Sequence, residues 1–269
     1  MNHQYSLHFL PPKQINRDRP LLVYIPGMDG TGKLFQSQTK RIASYFDLRC
    51  LSIPVRHQGD WMNLAVEMVE LIESELAFNR ERLVYLCGES FGGCLALKTA
   101  LIAPSLIQRS ILVNPASSFN QRPVLGLGVN IMNWIPNWFY DYSTLGFVPF
   151  LAQLNRIEAK YSKALLKAMQ SLPPQLVSQR LSLLRNFEVS KIELKSLNIP
   201  TLLIAGAADR LLPSVEEAKR LVNLLPEAKM VVLPHSGHAC LLETETNLYN
   251  ILLEQDFLEA RSTEADLVS

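Results

Sequence analysis

Charge is scarce in this chain, and balanced where it occurs. Of 269 residues only 19% are charged, and 26 basic against 25 acidic side chains leave a formal net charge of +1. Bases scattered in this way form no stripe able to track a phosphate backbone, so nucleic acid is not an expected partner. Cysteine is sparse too. Cys50, Cys87, Cys94 and Cys240 fall at no metal-ligand spacing, and no histidine clusters with carboxylates. No metal and no other cofactor is therefore implied. The thiols read as reduced, in a cytosol-like compartment. Met1-Asn2-His3-Gln4-Tyr5-Ser6 lacks the charged start and apolar core of a secretory signal. Apolar residues, by contrast, make up 48% of the chain, enough for one buried core plus an insertion.

The most informative stretch runs from Val84 to Gly93. An apolar, β-branched run ends in Gly88-Glu89-Ser90-Phe91-Gly92, and a helix-forming segment, Cys94 to Ala103, follows at once before Pro104. A Gly-x-Ser-x-Gly pentad alone is a weak signal. Strand, tight turn and helix in this order are the frame a nucleophile elbow requires. Ser90 at the apex is expected in a strained conformation, with Gly88 and Gly92 where a side chain would strike a neighbouring strand or helix.

A nucleophilic serine needs a base, and the base an orienting carboxylate. Thr201-Leu202-Leu203-Ile204-Ala205-Gly206 reads as a buried strand running into the loop that carries Asp209. That places Asp209 at a strand's C-terminal end, where open parallel sheets bind their ligands; the plainer reading is a turn residue or helix cap. Met230-Val231-Val232-Leu233 leads into Pro234-His235-Ser236-Gly237-His238, and His238, after a Ser-Gly turn, is favoured as the base over its competitor His235. The strand Leu21 to Ile25 and the loop Pro26-Gly27-Met28-Asp29-Gly30-Thr31-Gly32 offer the second half of an oxyanion hole. The amides of Met28 and Phe91 are the expected donors. Asp29 is expected to cap the next helix or to touch substrate. The loop has neither the Gly-Lys-Ser/Thr ending of a P-loop nor the spacing of a dinucleotide site.

Taken together, these elements resemble the α/β-hydrolase superfamily from about residue 20 to 253. More narrowly, the loop from Pro26 to Gly32, the elbow from Gly88 to Gly93 and Val113-Asn114-Pro115-Ala116 resemble the hydrolase portion of the plastid and cyanobacterial phytyl ester synthase and diacylglycerol acyltransferase-like family. The resemblance implies movement of fatty acyl groups onto phytol or diacylglycerol. Plant members usually carry a second, acyltransferase-like region after the hydrolase part; this chain ends before one.

Strand candidates near 5–10, 21–26, 48–53, 83–87, 110–113, 201–205 and 230–233 alternate with helices near 33–45, 61–78, 214–224 and 243–258. That alternation predicts an α/β fold with a mostly parallel, doubly wound sheet, and the resemblance an α/β-hydrolase fold. Core is expected over 1–116 and 199–260, a helical lid inserted at 117–198, and a polar tail at 261–269. The first half of the insertion, Pro123 to Gln153, holds Trp134, Trp138, Phe139, Tyr140, Tyr142, Phe147 and Phe150 with Asp141 as its single charge. Three readings are open there: a membrane span, which Asn130, Asn133, Pro136, Asn137 and Gly146 argue against; a lid packed on the core; or an apolar lid lining an acyl or prenyl pocket and resting on a membrane surface. In the last, which is favoured, Trp134, Trp138, Phe139 and Phe147 line the substrate site. From Glu158 the pattern turns helical, with Lys160, Lys163 and Lys167 on one face.

The expected chemistry is acyl transfer through Ser90, His238 and Asp209, most simply an esterase or lipase acting on a long-chain ester or thioester. An acyltransferase making phytyl or glyceryl esters is the alternative. A non-catalytic hydrolase-fold protein binding an apolar ligand or a partner is a third, against which the complete Ser90, Asp209 and His238 set speaks. Oligomeric state is left open.

Overall fold

The computed structural model describes residues 5–121 and 152–259. Its sheet comprises β1 (His8–Phe9), β2 (Leu21–Ile25), β3 (Asp47–Ser52), β4 (Val84–Glu89), β5 (Arg109–Val113), β6 (Thr201–Gly206) and β7 (Ala228–Leu233). The strand order is β1-β3-β2-β4-β5-β6-β7. All neighbours pair in parallel except β1, whose antiparallel register with β3 sets His8 opposite Ser52. The edge strand expected near 5–10 is thus real but short, since Pro11 and Pro12 follow it and carry no N–H to extend the ladder.

β2 has no charged residue because both its faces are covered, as a central parallel strand requires. Leu21, Val23 and Ile25 join one core, with residues of α2 (Trp61–Leu76), α3 (Phe91–Ile102) and the later helix Ser214–Val222. Leu22 and Tyr24 join the other, with α1 (Gln36–Tyr45) and the last helix, Leu248–Glu254. Asp60 starts α2 by accepting from Asn63 N–H, while the Asn63 side chain accepts from Asp60 N–H. Where β3 begins, the fully enclosed Asp47 carboxylate pairs with Arg49 at 2.7 Å and Arg82 at 2.6 Å.

Between β5 and β6 the described residues of 117–198 are helical: α4 (Ala159–Gln170), α5 (Pro174–Arg185) and α6 (Lys191–Ser196). On α4, Leu165 and Ala168 are buried and Lys160, Lys163 and Lys167 are exposed. The helix after β6, Ser214–Val222, is α7, and Leu248–Glu254 is α8.

One expectation needs correction. The last helix does not run over 243–258: a 3₁₀ turn occupies Cys240–Leu242, and α8 is confined to Leu248–Glu254. Glu243 turns inward instead. Its buried carboxylate accepts from Ser236 Oγ and Gly237 N–H, each at 2.8 Å, so the chain cannot coil there, and Asn247 caps a fresh helix by accepting from Asn250 N–H. No helix among the described residues is long and apolar enough to cross a membrane.

Candidate active site

Three strand ends converge at one edge of the sheet. β4 ends in Glu89, and Ser90 follows at φ 54°, ψ −114° before α3 begins. A non-glycine residue in that region is strained and needs strong local support. Ser90 N–H donates to Val113 O at 2.9 Å, and Gly93 and Ala116 N–H both donate to Ser90 O. A Cβ at Gly92 would strike the carbonyls of Ile25 and Pro26, and one at Gly88 the Gly92 carbonyl and Ala96. Gly88 is required because β4 and α3 cross in contact, and Gly92 because the start of α3 lies against the end of β2.

The loop after β6 carries Asp209 and the loop after β7 carries His238. His238 Nε2 lies 2.8 Å from Ser90 Oγ, and Nδ1 lies 2.7 Å from Asp209 Oδ2. With Nδ1–H donated to the carboxylate, the Nε2 lone pair faces the serine hydroxyl. The other carboxylate oxygen accepts from Leu211 N–H at 2.8 Å and Leu212 N–H at 3.0 Å, while Ser214 Oγ shares Oδ2. Burial alone would raise the Asp209 pKa, but His238 and these hydrogen bonds hold it below the ordinary range. Burial would lower that of His238; the charge and hydrogen bond of Asp209, with help from Glu89, raise it above the ordinary value. His235, the competing histidine, is exposed.

The Gly-rich loop after β2 lies against the serine: a Cβ at Gly27 would lie 3.6 Å from Ser90 Cβ. Asp29 does not cap a helix. It accepts from Thr31 N–H at 2.9 Å and from the Thr31 hydroxyl, tightening the loop, while the following 3₁₀ turn starts at Gly32 without a side-chain cap. Burial raises the Asp29 pKa despite those bonds. Met28 packs against Leu172, Leu176 and Val177 of the insertion, and Phe91 is buried against Trp61. Trp134, Trp138, Phe139 and Phe147 lie outside the described residues.

Sequence reasoning missed several supports. Asn114, quoted above only as part of a motif, is fully buried and ties the acid loop to the histidine loop. Its Oδ1 accepts from Gly206 N–H at 2.8 Å, and its Nδ2 donates to His238 O at 2.7 Å and Gly237 O at 3.2 Å. The Glu243 carboxylate holds Ser236 and Gly237 from the other side and receives Arg156 Nε at 2.9 Å. Glu89, the variable residue of the pentad, accepts from Tyr24 OH; burial pushes its pKa up to about 7 against that bond and the charge of His238. Only Asn114 carried a sequence signal, a polar residue ending an apolar strand.

A serine on a strand-to-helix elbow after β4, hydrogen-bonded to a histidine after β7 and through it to an aspartate after β6, places the protein in the α/β-hydrolase class. Comparison with known families agrees: the model of the alpha/beta hydrolase family matches residues 22–247, and the chain belongs to that family. Phytyl ester synthase 1 of Arabidopsis thaliana, a chloroplastic protein, is 30% identical over 94% of this chain, which spans only 39% of that protein's length. A pimeloyl-acyl-carrier-protein methyl ester esterase of Vibrio campbellii is 27% identical over 82% of this chain and 88% of its own. Among solved structures, an esterase from Exiguobacterium antarcticum matches with a TM-score of 0.75 over 93% of this chain and 94% of its own. At 17% identity that is a likeness of fold.

Proposed function

We propose that the protein is a serine-dependent hydrolase of long-chain acyl or prenyl esters or thioesters, working through an acyl-enzyme. The reading is carried by the continuous Ser90–His238–Asp209 hydrogen-bond chain, 2.8 and 2.7 Å long. As Ser90 Oγ bonds to the substrate carbonyl carbon, its proton passes to His238 Nε2 and the carbonyl electron pair moves onto oxygen. The amides of Met28 and Phe91 are assigned to that oxyanion; neither N–H has a partner among the described residues. Collapse expels the alcohol or thiol, which takes the proton from His238. Water, deprotonated by the same histidine, then releases the acid and restores Ser90. Asp209 holds the productive tautomer and offsets the imidazolium charge.

Transfer to an alcohol, with phytol or diacylglycerol replacing water in the second half-reaction, is the alternative, favoured by the likeness to phytyl ester synthase 1. Either reading has a lipid substrate, and the aromatic run of 123–153, with Asp141 its single charge, supports contact with a membrane surface. The test is one assay on wild-type and Ser90→Ala protein. A long-chain acyl donor is supplied with phytol or diacylglycerol in detergent micelles, and free acid and new ester are both counted. Hydrolysis predicts Ser90-dependent free acid, lost about 10³-fold or more in the variant. New ester as the main product decides for transfer. Neither product, across several chain lengths, refutes the lipid reading.

A further inference from the structure

Arg180 projects from α5, in the insertion, into the core beneath the Gly-rich loop. It is 3% exposed. Nη1 donates to the Met28 carbonyl and Nη2 to the Ile53 carbonyl at 3.1 Å. Ile53 N–H in turn donates to Gly30 O at 2.7 Å, so loop, strand end and guanidinium close a ring. Gly30 makes room for it: at φ +66°, a Cβ there would lie 2.6 Å from both Nη atoms. Among the described residues no carboxylate is within ion-pair distance of Arg180. Burial draws its pKa down to about 10, with the charge of Asp29 opposing.

A buried guanidinium spent on two backbone carbonyls is expensive where a leucine would pack. Its position offers a reason. The Met28 carbonyl and the Met28 N–H are on the two peptides that flank one Cα, so gripping the first restricts rotation of the second. The Met28 side chain is meanwhile held against Leu172, Leu176 and Val177. α5 thus fixes this residue at both its carbonyl and its side chain. Two further bonds dock the helix on the core, Trp61 Nε1 to Leu183 O at 2.8 Å and Gln179 Nε2 to His57 O at 3.1 Å.

We infer that Arg180 is a positioning residue for the oxyanion hole: it holds the Met28 N–H in its working orientation and makes that orientation depend on α5 being docked. The inference rests on the serine-hydrolase reading above. Binding that seats the insertion then also completes the catalytic centre.

The test uses the full chain with an activated short-chain ester and a fluorophosphonate that labels Ser90, in Arg180→Ala, Arg180→Met and Arg180→Lys proteins checked for folding by thermal melts. A misoriented donor predicts that kcat and the labelling rate fall together, by about 10- to 100-fold, with KM changed less than about threefold. Lysine restores part of the loss, as does added guanidinium in the alanine variant. A folded Arg180→Met protein with wild-type kcat and labelling rate, or a loss confined to KM, overturns the inference. Should the alanine and methionine variants fail to fold, Arg180→Lys decides: reduced kcat at unchanged KM supports positioning and wild-type kcat overturns it. A folded wild type that neither labels nor turns over refutes the serine reading itself. A wild type that does both, with variants equal to it, refutes only the role of Arg180.

Discussion

Replacing Asn114 by alanine should damage stability and catalysis together, and the structure says by how much. The side chain is fully buried and makes four hydrogen bonds, accepting from Gly206 N–H and donating to Gly237 O, His238 O and, at 3.6 Å, Cys240 Sγ. Truncation strands at least one donor and one acceptor away from water, at about 1–3 kcal/mol each. The backbone adds to this. Asn114 adopts φ 42°, which asparagine tolerates and alanine resists by about 1 kcal/mol or more. The expected loss is therefore about 3–7 kcal/mol in a urea denaturation. Activity should fall as well, because the released carbonyl belongs to His238. A slip of about 1 Å between histidine and serine costs about 10²-fold in kcat. Asn114→Asp sharpens the test. It keeps the acceptor and the volume but turns a carboxylate toward two carbonyl oxygens, so its folded state favours the protonated form. Its folded-state pKa is then raised, and its stability relative to wild type should improve as pH falls from 8 toward 5. An Asn114→Ala protein within about 1 kcal/mol of wild type, with unchanged kcat, would refute the reasoning.

Two further outcomes follow from the charged groups. In the proposed mechanism Ser90 is activated only by neutral His238, whose raised pKa should set the acid limb of kcat/KM above the ordinary histidine value. Glu89, titrating at about 7, and His238 each favour the other's charged form, so Glu89→Gln should move that limb to lower pH and reduce it to a single titration; an unmoved limb counts against their coupling. Toward the other end of the sheet, Asp47→Asn removes the counter-charge of buried Arg82 and one of the two on Arg49, which also meets Glu75 at 2.8 Å, and should cost about 3–5 kcal/mol by urea titration. Burial alone would raise the Asp47 pKa, but the two arginines hold it below the ordinary range. Its contribution is thus present above the unfolded-state pKa of about 4 and lost as pH falls through the lower folded value, so wild type and variant should converge in strong acid.

The Ser90, Asp209 and His238 arrangement was legible because each residue follows a strand, at the turn after β4 or in the loops after β6 and β7, and an apolar strand run is a loud signal. β4, β6 and β7 are apolar runs broken by Gly and polar residues, and the break itself marks the ligand-binding edge of the sheet. His238 was separable from His235 for a related reason: the Ser236-Gly237 turn lies between them, and only the second histidine is brought back to the serine. The supports had no such signal. Glu243 resembles any acidic residue opening a helix until its carboxylate is seen to hold Ser236 and Gly237, contacts that replace the first turn of the helix expected there. Arg180 falls on the apolar stripe of its helix, four residues from both Leu176 and Leu184, but nothing local says that its guanidinium ends beneath a loop 152 residues earlier. Periodicity reports which face of an element is apolar. It is silent on a polar side chain whose partners are backbone atoms elsewhere in the chain. The serine and its histidine partner therefore announce themselves, while the residues that hold them in register emerge only from the fold. Asn114 lies between the two cases: a polar residue closing an apolar strand signals that something is bound there, and only the geometry identifies it as the chain's own histidine loop.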